Sequence, residues 1–301
     1  MTDKLEFTGE RFTPECEREI WYEHLHRYVF ASQLVDGKSV LDAACGEGYG
    51  AAILAGSAAS VVGLDLSEDT IKHARNRYAE ISNLTFESGD CTRLPFGDQQ
   101  YDAVVSFETL EHLREQQAML AEFRRVLKED GYLIISSPDK KIYSEDRGYE
   151  NPFHVRELYL DEFKELLHEQ FPATRLLGQK LVFHSAIWTS DGSGAAQLDS
   201  QDNNGRITTS DKPGYAPVYH IALCAAHEDC LPQTDLAMWL FSDDQESVYQ
   251  HYYHEIRKNM EAGGLLAEKD KQIEHLSRQL ESHTSNKSRG LLGWLRKLIK
   301  P

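Results

Sequence analysis

The chain has 301 residues, 41% of them hydrophobic and 27% charged, which suits a globular protein with a substantial core and room for appendages. Its formal net charge of −17 argues against a general nucleic-acid binder, because phosphate backbones are held by basic surfaces. Cys16, Cys45, Cys91, Cys224 and Cys230 lack zinc-like pairing, Met1 to Glu10 carry no apolar signal-peptide core, and no apolar run nears the roughly 20 residues that span a bilayer, so a reducing, cytoplasmic setting is expected.

Thr8 to Pro14 reads as a loop punctuated by Gly9 and Pro14. Glu17 to Leu34 reads as a helix, since Ile20, His24, Tyr28 and Ala31 share one face. From Lys38 to Ser136 strand-like runs (Val40–Ala43, Val61–Leu64, Leu84–Phe86, Ala103–Ser106, Tyr132–Ser136) alternate with helix-like ones (Ala51–Ala58, Glu68–Tyr78, Arg114–Leu127). That alternation predicts a parallel, doubly wound sheet with helices on both faces. Leu160 to Leu167 is an amphipathic helix, and Leu176–Phe183 and Tyr219–Ala225 read as two more strands. Between them, the Ser/Asp/Asn/Gly-rich stretch 189–217 is an ordered insertion or a mobile flap. The predicted divisions are a cap helix over 1–34, a sheet domain over 35–228, a helical extension over 229–286 and a tail over 287–301.

The first strand breaks at Cys45-Gly46-Glu47-Gly48-Tyr49-Gly50, where glycines let backbone pass close to a ligand before the next helix opens with unpaired N–H groups. The second strand ends in Asp65, about twenty residues on, where a carboxylate can accept from ribose hydroxyls. Ala51 takes the last position of G-x-G-x-x-G, so the dinucleotide fingerprint is incomplete. Asp42 and Glu47 add negative charge where a pyrophosphate would sit, which favours a ligand ending in a cationic amino acid, S-adenosylmethionine. Ligands of such sheets lie beyond the strands' carboxyl ends, where Asp42, Asp65, Asp90 and Phe107 fall.

These stretches resemble the motifs of the class I S-adenosylmethionine-dependent methyltransferases. Leu41 to Gly48 is similar to the first motif and Val62 to Ser67 to the second. Gly89-Asp90-Cys91 with Leu94-Pro95-Phe96 is similar to the third, and Tyr101 to Ser106 with Leu110-Glu111-His112-Leu113 to the fourth. Ala44 stands where that family more often has glycine. The resemblance covers about half the chain and implies a mostly parallel seven-stranded α/β sheet, here with a helical C-terminal extension. It implies cofactor contacts at Asp42, Gly46, Gly48, Asp65, Leu66, Asp90, Cys91 and Phe107, with Asp90 accepting from the adenine amino group or simply capping the next turn. An N-terminal helix over the pocket would bring Arg27 and Tyr28 to the cofactor carboxylate, unless that helix only packs. Asn151-Pro152-Phe153-His154-x-x-Glu157 resembles a stretch of methyltransferases encoded with bacterial polysaccharide synthesis, which implies a glycan acceptor. Rival readings are a small isoprenoid or lipid acceptor, and a cofactor-binding scaffold at a membrane.

A hydroxyl acceptor must lose a proton, and histidine suits that near neutral pH. His154 is the first candidate base, then His112, then Glu111; both histidines have structural alternatives in packing or capping. No metal-ligand spacing stands out, so metal-independent chemistry is expected. Leu266, Ile273 and Leu280 recur every seven residues, with Leu276 between, as a short coiled-coil seam or a packed surface helix. Residues 263–283 are accordingly a candidate contact for a second copy or partner protein. Over 287–301, Leu291, Leu295 and Leu298 share a face with Trp294 nearby, among Lys287, Arg289, Arg296, Lys297 and Lys300. A basic amphipathic tail of this kind suits peripheral membrane contact or a partner.

Overall fold

Strand residues alternate between two faces, so a buried sheet needs two apolar layers. In β1 (Ser39–Ala43), Val40 joins one layer and Leu41 the other. Val105 and Val104 of β4 (Tyr101–Ser106) divide the same way, as do Ile134 and Ile135 of β5 (Leu127–Pro138). The first layer is completed by Tyr28 and Phe30 of α1 (Glu19–Ser32), Leu54 of α2 (Tyr49–Ala55) and Ile71 of α3 (Glu68–Arg77). The second comes from Met119, Leu120 and Phe123 of α4 (Gln116–Val126) with Phe163 and Leu167 of α5 (Leu160–His168). Each such side chain contributes about 2–3 kcal/mol by leaving water. The computed structural model describes residues 19–187, 197–201, 204–210, 212–234 and 236–298, and of 281–298 the backbone alone.

With β2 (Ser60–Asp65), β3 (Leu84–Ser88), β6 (Ala173–Gln179) and β9 (Tyr219–Ala225), the sheet has seven strands in the order β3-β2-β1-β4-β5-β9-β6. The pairs from β3 through β5 are parallel, and β9 runs antiparallel to both its neighbours. The order reverses between β1 and β4, so the loops after those strands diverge and open a crevice at their carboxyl ends. α3 starts with Ser67 accepting from the Thr70 N–H at 3.3 Å, with Glu68 and Asp69 in its first turn and Arg75 and Arg77 in its last. That charge order complements the helix dipole.

Three expectations shift. The sixth strand lies at Ala173–Gln179, ahead of the predicted Leu176–Phe183, because it ends with its partner: Gln179 pairs with Tyr219, where β9 begins. Within the insertion, β7 (Leu198–Gln201) and β8 (Ile207–Ser210) form a separate antiparallel hairpin, while 188–196 lie outside the described residues. The boundary at 228 moves to 241, since Trp239 packs edge-on to Phe30 at 4.8 Å and Phe241 lies 5.8 Å from Trp21. Residues 242–301 form a second unit containing α6 (Ser247–Leu298), a helix of 52 residues that runs through the predicted division at 286. No glycine or proline stands between Leu265 and Arg289 to stop it. Leu266, Ile273, Leu276 and Leu280 are all exposed on it. Residues 1–18 of the cap region, and the tail's side chains and last three residues, lie outside the described residues. Among the described residues no helix is long and apolar enough to cross a membrane.

Candidate active site

The turn after β1 is held open by backbone geometry and by packing. Ala44, Gly46 and Gly48 all have left-handed backbone, with φ of 62°, 56° and 93°. The space a Cβ would need at Gly48 is occupied by the Phe86 ring, 2.7 Å away, and at Gly50 by the Tyr28 ring, 2.1 Å away. These two glycines therefore admit protein side chains where the sequence suggested close approach of a ligand. Asp65 braces the turn from the end of β2. Its Oδ2 accepts from the Gly46 N–H at 3.0 Å and its Oδ1 from the Ser67 N–H at 2.9 Å, each oxygen keeping a second lone pair for a ribose hydroxyl.

Glu47 corrects the charge argument. Its carboxylate is buried and turned toward α3, where Arg77 stands at 2.9 Å, Tyr78 Oη at 2.9 Å and His73 at 3.2 Å. It is neutralised there and offers nothing to a ligand. Asp90 is exposed and its Oδ1 takes the Thr92 N–H at 2.8 Å and hydroxyl at 2.7 Å, so capping accounts for one oxygen. Cys91 is buried, its thiol pushed up to about 12 by desolvation, and Cys45 is buried with its thiol also raised; neither is a reactive thiolate. Leu66, 74% exposed at the end of β2, presents a bare apolar surface beside Asp65.

Beside this turn lies a set of buried polar atoms with bonds still to make. Arg27 has no exposed side-chain surface; its guanidinium lies over the Tyr219 ring at 4.8 Å, and Nη1 donates to Gln179 Oε1 at 2.8 Å with Glu108 at 3.7 Å. Its Nε and Nη2 have no hydrogen-bond partner among the described residues. Asp42 is fully buried; Tyr28 Oη donates to its Oδ1 at 3.1 Å, and Oδ2 has no partner among the described residues. Burial raises the Asp42 carboxyl to about 7, against the opposing Tyr28 bond. Tyr28 also meets the Phe107 ring edge-on at 5.1 Å, so the residue after β4 belongs to the same wall. Buried polar groups are rarely left unpaired. A donor pair wanting an anion and a carboxylate wanting a cation match the two ends of the amino-acid moiety of S-adenosylmethionine, so these residues fit that cofactor.

Past Phe107 the chain carries the acceptor-side candidates. Glu108 adopts φ 50° and takes a hydrogen bond from Ser136 Oγ at 2.8 Å. The turn Leu110–His112 then receives the acceptor loop, as the N–H groups of Val155 and Arg156 both donate to the Glu111 carbonyl, at 2.8 and 3.0 Å. That stitching brings His154 against His112, ring centroids 5.0 Å apart. His112 Nδ1 meets the Phe153 carbonyl at 3.0 Å, and Tyr143 stacks on His154 at 5.3 Å. Burial lowers His154 from its ordinary range, against a raising bond from Glu157, whose Oε1 stands 2.5 Å from Nδ1. Glu111 is buried and pushed well up by desolvation and by Glu108. One ligand atom each from Glu111, His112 and His154 lie within 4.8 Å of one another, a grouping no sequence spacing announced.

The sequence did not single out Glu108, and it placed Asn151 and Glu157 in the acceptor-side stretch without a role toward His154. Only the position of Glu108 after a strand end, and of Glu157 three residues past His154, could have drawn notice.

A seven-stranded sheet with this strand order, a glycine turn after its first strand and an acid after its second, defines the S-adenosylmethionine-dependent methyltransferase class. The profile of the family described as Methyltransferase domain matches residues 34–191, and the chain belongs to that family. A "Probable S-adenosylmethionine-dependent methyltransferase" of Mycolicibacterium smegmatis is 37% identical over 205 residues, 67% of this chain and 75% of that relative. A protein of Mycobacterium tuberculosis with the same description is 36% identical over 166 residues, 54% of this chain and 60% of its own length. A fatty-acid O-methyltransferase of M. smegmatis is 38% identical over 112 residues, 36% of this chain and 40% of that enzyme. The protein is an enzyme, a methyltransferase that uses S-adenosylmethionine.

Proposed function

We propose that the methyl group goes to a hydroxyl oxygen and that His154 removes its proton. One observation carries this reading. Asn151 Oδ1 accepts from the Phe153 N–H at 3.1 Å, which directs its amide nitrogen to His154 Nε2 at 2.9 Å, while Glu157 engages Nδ1. The proton therefore sits on Nδ1 and the lone pair on Nε2, and an acceptor hydroxyl replaces the Asn151 amide there. The cofactor supplies a methyl group on a sulfonium, ready for in-line displacement, so the chain's main task is alignment. Arg27 binds the cofactor carboxylate, Asp42 its ammonium and Asp65 its ribose. Gly46 and Gly48 shape the turn, Leu66, Asp90 and Cys91 border the adenine, and Phe107 closes the wall. Glu111 and His112 face the acceptor.

The acceptor in this reading is a bacterial surface-glycan intermediate. Support comes from the Asn151-to-Glu157 stretch and from the exposed aromatic rings of Tyr149, Phe153 and Tyr159, whose faces suit the C–H faces of sugars. The fatty-acid O-methyltransferase among the relatives favours a lipid hydroxyl or carboxyl as the second reading. Methyl-labelled cofactor given to the enzyme with glycan and with lipid extracts separates the two by which product carries label. His154→Ala should lower turnover at least a hundredfold, with S-adenosylhomocysteine affinity within twofold of wild type; full turnover at saturating acceptor would remove His154 as the base. The basic tail brings the enzyme to anionic membrane, at about 1 kcal/mol per positive charge. Truncation after Asn286 should abolish vesicle co-sedimentation at low salt, and equal binding by both forms would refute that role. Residues 263–283 serve a second copy or partner protein, which sedimentation of the full chain and of a form ending at Gly263 would test.

A further inference from the structure

The base mechanism leaves Glu111 without a task. It is 1% exposed, and among the described residues no other donates a hydrogen bond to either carboxylate oxygen. His112 Nε2 stands 4.0 Å from its Oε1. Removing a carboxylate from water without hydrogen bonds costs several kcal/mol, so a group in this position calls for a cation or a proton.

Its neighbours answer to the first. One ligand atom of Glu111, of His112 and of His154 fall within 4.8 Å, against roughly 3.3 Å between donors around a tetrahedral ion, a difference side-chain rotation can close. Each imidazole has Nδ1 against an oxygen: His112 against the Phe153 carbonyl at 3.0 Å, His154 against Glu157 at 2.5 Å. Metal-binding histidines are oriented in this way, by an oxygen on the nitrogen away from the ion, and at His154 an ion takes the place of the Asn151 amide now 2.9 Å from Nε2. The surrounding charge also favours a cation, for Glu108 and Glu157 add two carboxylates against the single guanidinium of Arg27. Two imidazoles and one carboxylate suit first-row transition ions such as Zn²⁺, Co²⁺ or Mn²⁺ over Mg²⁺ or Ca²⁺, which prefer oxygen.

We propose that Glu111, His112 and His154 form a binding site for one divalent transition ion, a second ligand site beside the cofactor. Where His154 is the base, which is the reading given above, the ion and the acceptor hydroxyl compete for the same lone pair. A metal-loaded enzyme then binds cofactor without turning over, and the site acts as an inhibitory one.

The test uses the full chain, free of any affinity tag, titrated with Co²⁺ alone and then with Zn²⁺. Wild type should take up one equivalent of Co²⁺ with visible absorption bands of nitrogen and oxygen ligation, displaced by one equivalent of Zn²⁺. Glu111→Gln should weaken binding at least tenfold, as should His112→Gln, whose partly exposed side chain makes it the safer variant for folding. S-adenosylhomocysteine affinity, read in the same samples, should stay within twofold. No saturable uptake by wild type would overturn the site and leave Glu111 neutralised by a proton; undiminished uptake by both variants would overturn it as well. Failure of wild type to bind S-adenosylhomocysteine is a separate result, against the cofactor assignment and not against the metal site.

Discussion

Two groups of buried charges border the glycine turn, and they differ in how far the protein itself satisfies them. Glu47 meets Arg77, His73 and Tyr78 within 3.2 Å. Arg27, Asp42 and Glu111 are as deeply buried, yet among the described residues Arg27 Nε and Nη2, Asp42 Oδ2 and both Glu111 oxygens have no hydrogen-bond partner. Leaving a buried polar group unsatisfied costs about 1–3 kcal/mol, more for a charge, so a fold retains such groups where a ligand completes them. The satisfied charge builds the turn; the others are the proposed ligand contacts, Arg27 and Asp42 for the cofactor and Glu111 for a metal ion.

Substitutions that separate stability from affinity would break this contrast if it is false. The largest effect is expected for Glu47→Ala, which strands Arg77 and His73 and should cost about 3 kcal/mol of stability, the low end for a buried pair because Arg77 is a third exposed. Denaturant titration reads that loss, and S-adenosylhomocysteine affinity should hardly move. Arg27→Met should do the reverse, costing about 2 kcal/mol of binding, roughly thirtyfold, for the lost charged hydrogen bonds.

Asp42 sharpens the contrast through pH. Its carboxyl titrates near pH 7 in the ligand-free protein, and a cofactor ammonium favours the ionised form. Below pH 7 a proton must leave on binding, so affinity should fall about tenfold per pH unit, about 1.4 kcal/mol, and level off above it. For the ligand-free fold the sign is opposite: a raised carboxyl stabilises fully below the unfolded value and loses that contribution as pH rises through about 7. Asp42→Asn should flatten both curves. The smallest effect is on the turn itself. Ala44→Gly relieves a left-handed alanine and should raise stability by about 1 kcal/mol, measured as a small rise in melting temperature.

The cofactor side was largely legible in the sequence because its signals are local. An apolar run, a glycine turn, a small-residue helix and an acid at the next strand's end fall within twenty-six residues, Val40 to Asp65, and the alternation of strands and helices foretold the parallel sheet. What escaped depends on partners distant in sequence. Glu47 looked like a ligand-facing charge because Arg77, which neutralises it, lies thirty residues on with no spacing rule to link them. Glu111 and His154 meet only because the acceptor loop returns to the Leu110–His112 turn through the Val155 and Arg156 amides. The glycines were read as room for a ligand, and the rings that fill that room, Tyr28 and Phe86, come from other elements. Residues 226–241 gave no periodic signal, so their return onto α1 through Trp239 and Phe241 was missed.

Calorimetric titration with S-adenosylhomocysteine at pH 7.5, on wild type, Glu47→Ala and Arg27→Met, tests the central claim most directly. One site per chain is expected in wild type, with affinity kept in the first variant and lowered roughly thirtyfold in the second. No binding by folded wild type, or equal affinity in wild type and Arg27→Met, would contradict the claim that the buried guanidinium of Arg27 is a cofactor contact.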